Sequence, residues 1–131
     1  MRQSSKKLCF CAAMCAVAVA FSYLEAIIPM PLIPIPAFKI GLSNICILLI
    51  LMCMSEKETV TVALVRCVIV GILFGNVTAF VFSLCGTALS LVCMIIAKRS
   101  KIFSIYGISV AGAAAHNCGQ ILAAIFFYST A

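Results

Sequence analysis

The chain has 131 residues, 66% of them hydrophobic and 9% charged, with a net charge of +6. A water-soluble domain carries about 45–50% apolar and about 25% charged residues; too little polar surface is present here to face water all round, and an all-α integral membrane protein is expected. Aspartate is absent and glutamate occurs at Glu25, Glu56 and Glu58 alone, which excludes the clustered carboxylates that divalent-metal chemistry on diphosphates requires.

A spanning helix needs about 20 mostly apolar residues, and punctuation divides the chain into five such runs. The first covers roughly residues 8–28 and stops at Pro29. Its basic start resembles a secretory signal, but the apolar run continues to Ile28 without a cleavage site, which favours a first membrane helix. Residues 29–39, PMPLIPIPAFK, hold all four prolines and predict an extended, semi-rigid loop. Helix 2 is expected over about 40–54, ended by SEKE, and helix 3 over about 59–74, with Gly75 and Asn76 as the turn. Helix 4 follows over about 77–97, ended by KRSK, and helix 5 over about 105–128. Together they form a single transmembrane domain. Five helices with an abrupt end suggest a bundle of six that lacks its last helix.

Orientation follows from the Lys and Arg distribution. With the N-terminus inside, the inner segments carry Arg2, Lys6, Lys7, Lys57, Lys98, Arg99 and Lys101, and the outer segments carry Lys39. The N-terminus is therefore expected on the cytoplasmic side of the cell membrane. Nine cysteines are scattered through apolar runs without a C-x-x-C pair, and read as small buried hydrophobes.

The interior polar residues gather toward the outer half. Glu25 lies near the outer end of helix 1, Lys39, Ser43 and Asn44 at the outer start of helix 2, and Asn76 in the outer turn. His116, Asn117 and Gln120 fall about 17–22 Å from the inner end of helix 5. Ionisable groups at membrane depth are costly and mark a site or a pair. This pattern predicts a polar cavity open to the outside and roofed by the proline loop, lined by Glu25, Lys39, Asn44, Asn76, His116, Asn117 and Gln120. A structural alternative stands beside it: His116, Asn117 and Gln120 as hydrogen-bonding glue between helices, and Glu25 as a cap for the loop. Arg66, early in helix 3, is expected to snorkel toward the cytoplasmic headgroups or to pair with another subunit.

Small residues recur every four positions at Ala12, Ala16 and Ala20, and at Ala111, Ala115, Gly119 and Ala123. Such stripes let helices approach closely. No nucleotide-binding loop is present, and a Ser/His/Asp set is impossible without aspartate. The chain is expected not to be an enzyme, and no cofactor or metal site is predicted.

Three segments in order, FKIGLSNICILL (38–49), FGNVTAFVFSLCGTALSLVCM (74–94) and FSIYGISVAGAAAHNCGQ (103–120), resemble the Gx transporter family, also called heptaprenyl diphosphate synthase component I. The resemblance covers nearly the whole chain and is most specific in AHNCGQ. Its members look like the S components of energy-coupling-factor transporters, which implies six helices, an outward-facing pocket for a small molecule, and an alanine stripe on helix 1 that meets the transmembrane coupling subunit and its ATPases. Ala12, Ala16 and Ala20 match that stripe. FKIGLSNI resembles a segment of riboflavin-type S components, with Asn44 where those carry an acidic residue. The function implied is a substrate-binding subunit of a vitamin-type uptake transporter. The alternatives are a non-catalytic membrane component of heptaprenyl diphosphate synthase, and a scaffold in a membrane redox or assembly complex.

Overall fold

The structure, a computed structural model, describes residues 2–28, 41–74 and 77–130. It consists of five helices: α1 (Arg2–Ile27), α2 (Ser43–Cys53), α3 (Glu56–Phe74), α4 (Val77–Ser100) and α5 (Ile105–Thr130). Among the described residues there is no strand, so the all-α class expected from composition is what the chain adopts.

Helix boundaries extend past the apolar runs because charged residues join the first and last turns. Helix α1 starts at Arg2 and takes in Lys6 and Lys7, which are good helix formers. Helix α3 starts at Glu56, since the sequence Ser55-Glu56-Lys57-Glu58 places a glutamate where it can reach back to the cap. Glu58 Oε2 accepts the Ser55 N–H at 3.0 Å. Helix α4 runs on to Ser100 and ends at Lys101, which sits in the left-handed region at φ 56.

Helices α1, α4 and α5 are long and apolar enough to cross a membrane. Helix α2 is not: its 11 residues span about 16 Å, about half of a hydrocarbon core roughly 30 Å thick. It is apolar on all sides, the pattern of a helix enclosed by others, and it touches each of the other four helices. Both of its ends are held from outside. Near its N-terminus, the Glu25 carboxylate accepts the Leu42 N–H, and at its C-terminal end the Lys98 Nζ donates to the Leu51 carbonyl. An anion at the N-terminal end and a cation at the C-terminal end both complement the helix dipole.

Helices α4 and α5 form the most extensive interface, and small residues make it close. A Cβ on Gly119 would fall 2.7 Å from the Cys85 carbonyl oxygen and 2.8 Å from the Gly86 Cα. The Ser90 hydroxyl donates to the Gly112 carbonyl at 2.8 Å. Ala115, Gly119 and Ala123 are buried, while Ala111 is half-buried. This stripe therefore packs inside the chain.

The core is layered. One apolar cluster joins Cys15, Ile47, Leu51, Val62, Leu91, Met94 and Ile108, with their neighbours, near the charged ends of the helices. A second, smaller one joins Phe82, Ala123 and Ala124. Apart from Thr59 in the first turn of α3, the buried polar residues of each helix lie further from the charged end than the first cluster. On α4 and α5 they come before the second cluster.

Candidate functional site

The layer between the two clusters is built from four helices. Helix α2 contributes Ser43 and Asn44, α3 contributes Arg66 and Cys67, α4 contributes Ser83, Gly86 and Thr87, and α5 contributes His116 and Gln120. Helix length sets the level of each. Arg66 stands about 15 Å along α3 from Glu56, and His116 about 17 Å along α5 from Ile105. Because α2 is so short, Ser43 and Asn44 reach the same level from its other end. Asn44, expected at the outer start of helix 2, is thus level with His116.

Arg66 is the hub. It is 2% exposed, its Nη1 donates to the Ser43 hydroxyl, and its Nη2 donates to the Thr87 hydroxyl at 2.6 Å. The Cys67 sulfur lies 3.5 Å from the same Thr87 oxygen and 3.9 Å from the Ser83 hydroxyl. Snorkelling of Arg66 toward headgroups, expected from the sequence, is therefore incorrect, and so is pairing with another subunit. The side chain turns into the bundle and is enclosed by this chain's own helices. The count that started helix 3 at residue 59 rather than at Glu56 placed Arg66 too shallow.

Beside this hub lies a second group. A Cβ on Gly41, which has φ +86, would sit 3.3 Å from the Asn44 Nδ2 and 4.0 Å from the His116 ring. A Cβ on Gly86 would sit 3.0 Å from the His116 Cε1 and 3.0 Å from the Gln120 Cγ. The two glycines thus flank the imidazole, and Asn44, His116 and Gln120 converge on one region. All three are buried. Both polar atoms of the Asn44 amide, and the Nε of Arg66, are shielded and have no hydrogen-bond partner. Most buried polar groups are paired, and an unmet one costs about 1–3 kcal/mol, so these atoms stand ready for a group supplied from elsewhere.

The remaining residues predicted for the site fall apart from this centre or outside it. Glu25 is half-buried and engaged with the Leu42 N–H. Asn117 is half-buried, with an Oδ1 that has no hydrogen-bond partner. Lys39, Asn76 and the proline loop lie outside the described residues. Ala12, Ala16 and Ala20 are exposed, on a face of α1 different from the one that buries Cys15, Ala18 and Ser22. Ala12 and Ala16 border a groove of about 800 Å³ between α1 and α3. Of the nine cysteines, Cys15, Cys46 and Cys67 are buried, whereas Cys9, Cys53, Cys85 and Cys118 are exposed on the bundle surface. No group of residues that could hold a metal ion occurs among the described residues.

Sequence reasoning missed Arg66, Ser83 and Thr87 as parts of the centre. A signal for Arg66 was present: it is the only charged residue between Thr59 and Ala97, and an ionisable residue within an apolar run marks a site by default. For the two hydroxyl residues no comparable signal exists, since Ser and Thr are common in apolar helices.

No curated protein and no solved structure matches the chain, so the likeness to uptake-system S components has no counterpart in these comparisons. A family model described as heptaprenyl diphosphate synthase component I matches residues 14–131. That match takes in all of α2 to α5 and the whole polar layer, and the chain belongs to the heptaprenyl diphosphate synthase component I family.

Proposed function

We propose that this chain is a membrane-embedded, non-catalytic subunit that binds a polar small molecule at the centre of its bundle, as the binding subunit of an uptake system does. The observation that carries this reading is the Asn44 amide, buried at 6% exposure with neither polar atom bonded, at the mid-level start of a short helix. Short helices that begin within a bundle, with polar groups at the break, are a recurring way to build solute sites near the membrane midplane. With the Lys and Arg distribution putting the N-terminus in the cytoplasm, access to the site is from the outer side, and His116 and Gln120 complete its lining. The exposed stripe Ala12, Ala16 and Ala20 offers a close-packing face to a coupling subunit, whose ATPases supply the energy.

The test is mass spectrometry of small molecules released from the purified full chain. A bound molecule retained by the wild type and lost from His116→Ala and Asn44→Leu supports the reading. Equal retention by all three proteins overturns it.

The family description favours a second reading, in which the chain is the membrane component of a synthase whose catalytic carboxylates lie on another subunit. The absence of aspartate fits a non-catalytic role in either case. Prenyl synthase activity of a partner that strictly requires this chain would put the second reading first.

A further inference from the structure

We infer that the ligand of the central site carries an anionic group, a carboxylate or a phosphate-type oxyanion, and that Arg66 receives it. This rests on reading the polar layer as a ligand site. It adds the charge of the ligand, which the reading of the site alone leaves open.

An arginine keeps its proton in any protein environment, so burial cannot neutralise it. Buried charges are paired, and one left alone in a low-dielectric interior costs several kcal/mol. The counter-charges that this chain can supply are few. Aspartate is absent and the three glutamates are engaged elsewhere. Glu56 forms an ion pair with Arg99 at 2.6 Å, at the charged end of the bundle. Glu58 accepts the Ser55 N–H at 3.0 Å, and Glu25 accepts the Leu42 N–H. Among the described residues no carboxylate approaches Arg66 within ion-pairing distance, and neither 29–40 nor 75–76 contains an acidic residue.

The groups that do touch Arg66, the Ser43 and Thr87 hydroxyls and the Cys67 thiol, are neutral. They orient the guanidinium but leave its charge uncancelled. The Nε has no acceptor. Ser43 is also the first residue of α2, but the positive end of that dipole is already met by the Glu25 carboxylate at the Leu42 N–H, which leaves the guanidinium as the charge still to be matched. The adjoining Asn44 amide, with both atoms unbonded, can donate to an oxyanion through its Nδ2. At 2% exposure, Arg66 is closed to lipid headgroups and to side chains of another protein. The counter-anion that fits is a small one that enters the layer itself.

The experiment uses the full chain in detergent, at constant ionic strength, with the exposed cysteines blocked beforehand and thermal unfolding followed by a dye that reacts with the buried Cys15, Cys46 and Cys67 as they become exposed. The probes are sodium benzoate, sodium phosphate and, as an uncharged control, benzamide. A saturable rise in the wild-type midpoint with benzoate or with phosphate, absent with benzamide, is expected, and which of the two acts distinguishes a carboxylate from a phosphate ligand. Arg66→Lys keeps the charge but loses the fork geometry, and is expected to weaken the response about tenfold; Arg66→Met is expected to abolish it. If Arg66→Met does not fold, the Arg66→Lys titration carries the test.

No response of the wild type to either anion, or an equal response in Arg66→Lys, overturns the proposal. Mass spectrometry separates this from failure of the site reading. A neutral or cationic molecule that co-purifies, lost in Asn44→Leu and kept in Arg66→Lys, overturns the anion assignment and leaves the site standing. Absence of both a bound molecule and an anion response overturns both.

Discussion

The Arg66 Nη2 donates to the Thr87 hydroxyl at 2.6 Å, tying α3 to α4 at the level where the apolar core gives way to polar side chains. The guanidinium is rigid and planar, so its second contact, to Ser43 on α2, fixes three helices about one group. Replacing Thr87 by Val keeps the shape and removes the acceptor. We expect a loss of about 1–3 kcal/mol, read as a lower unfolding midpoint in detergent, with Thr87→Ser close to wild type. An unchanged midpoint in Thr87→Val would show that the contact does not hold these helices together.

Asn44 is expected to behave in the opposite sense. Its amide atoms are buried and unbonded, so Asn44→Leu removes an unmet polar group without breaking a protein contact. Apolar replacement of such groups is neutral or stabilising. The expected outcome is a midpoint equal to or above that of the wild type, together with loss of the co-purifying ligand. A clear drop in stability would mean that the amide has a structural partner in the working protein.

The α4–α5 interface supplies a graded pair. A Cβ on Gly119 meets backbone atoms at 2.7 and 2.8 Å, which cannot move independently, so Gly119→Ala is expected to cost about 1–3 kcal/mol. A Cβ on Gly112 meets the Met94 sulfur at 2.6 Å. Because methionine is flexible and adapts to irregular space, Gly112→Ala is expected to cost clearly less. Unfolding midpoints of the two variants, measured side by side, check the order.

The ends of α2 are held by Glu25 and Lys98. Lys98→Met removes a cation that complements the helix C-terminus and is expected to cost about 0.3–1 kcal/mol. Glu25→Ala removes an acceptor for the Leu42 N–H, an effect of about 0.5–2 kcal/mol by analogy with lost N-caps. Faster hydrogen exchange of the α2 amides in both variants is the diagnostic signal; unchanged exchange would show that neighbouring helices alone hold α2.

A pH dependence is expected at the charged end. The hydrogen bond from Arg99, chiefly, and its charge hold the Glu56 carboxyl below the usual glutamate range. The folded pKa is depressed, so this contribution is present above the unfolded value and fades as pH falls through the lowered folded one. The pair is exposed, so its effect is small and screened by salt. Midpoints of the wild type and Glu56→Gln are expected to differ slightly at neutral pH and to converge in acid.

Much of this architecture is legible in the sequence because it follows from composition and periodicity. An apolar chain with charged punctuation must form helices in lipid, where backbone groups can bond only to each other. The glycine and alanine stripe on α5 announced its close packing, and His116 and Gln120, four residues apart, announced a shared face. Arg66 was misjudged since a run of residues gives distance along a helix but not the direction in which a long side chain turns.

By itself, then, the sequence determined the class of the fold, the membrane setting, the shortage of carboxylates and the residues from which a polar centre can be made. The tertiary structure decided which of them meet. It set the start of α2 level with Arg66 and His116, turned Arg66 inward onto Ser43 and Thr87, and left the alanine stripe of α1 facing outward. The physical reason is that hydrophobicity is proportional to buried area and non-directional, so it fixes that the helices gather but not how they rotate and slide. Short-range steric fit at Gly86 and Gly119 and directional hydrogen bonds at Arg66 make that choice, and both exist only once the helices are in contact.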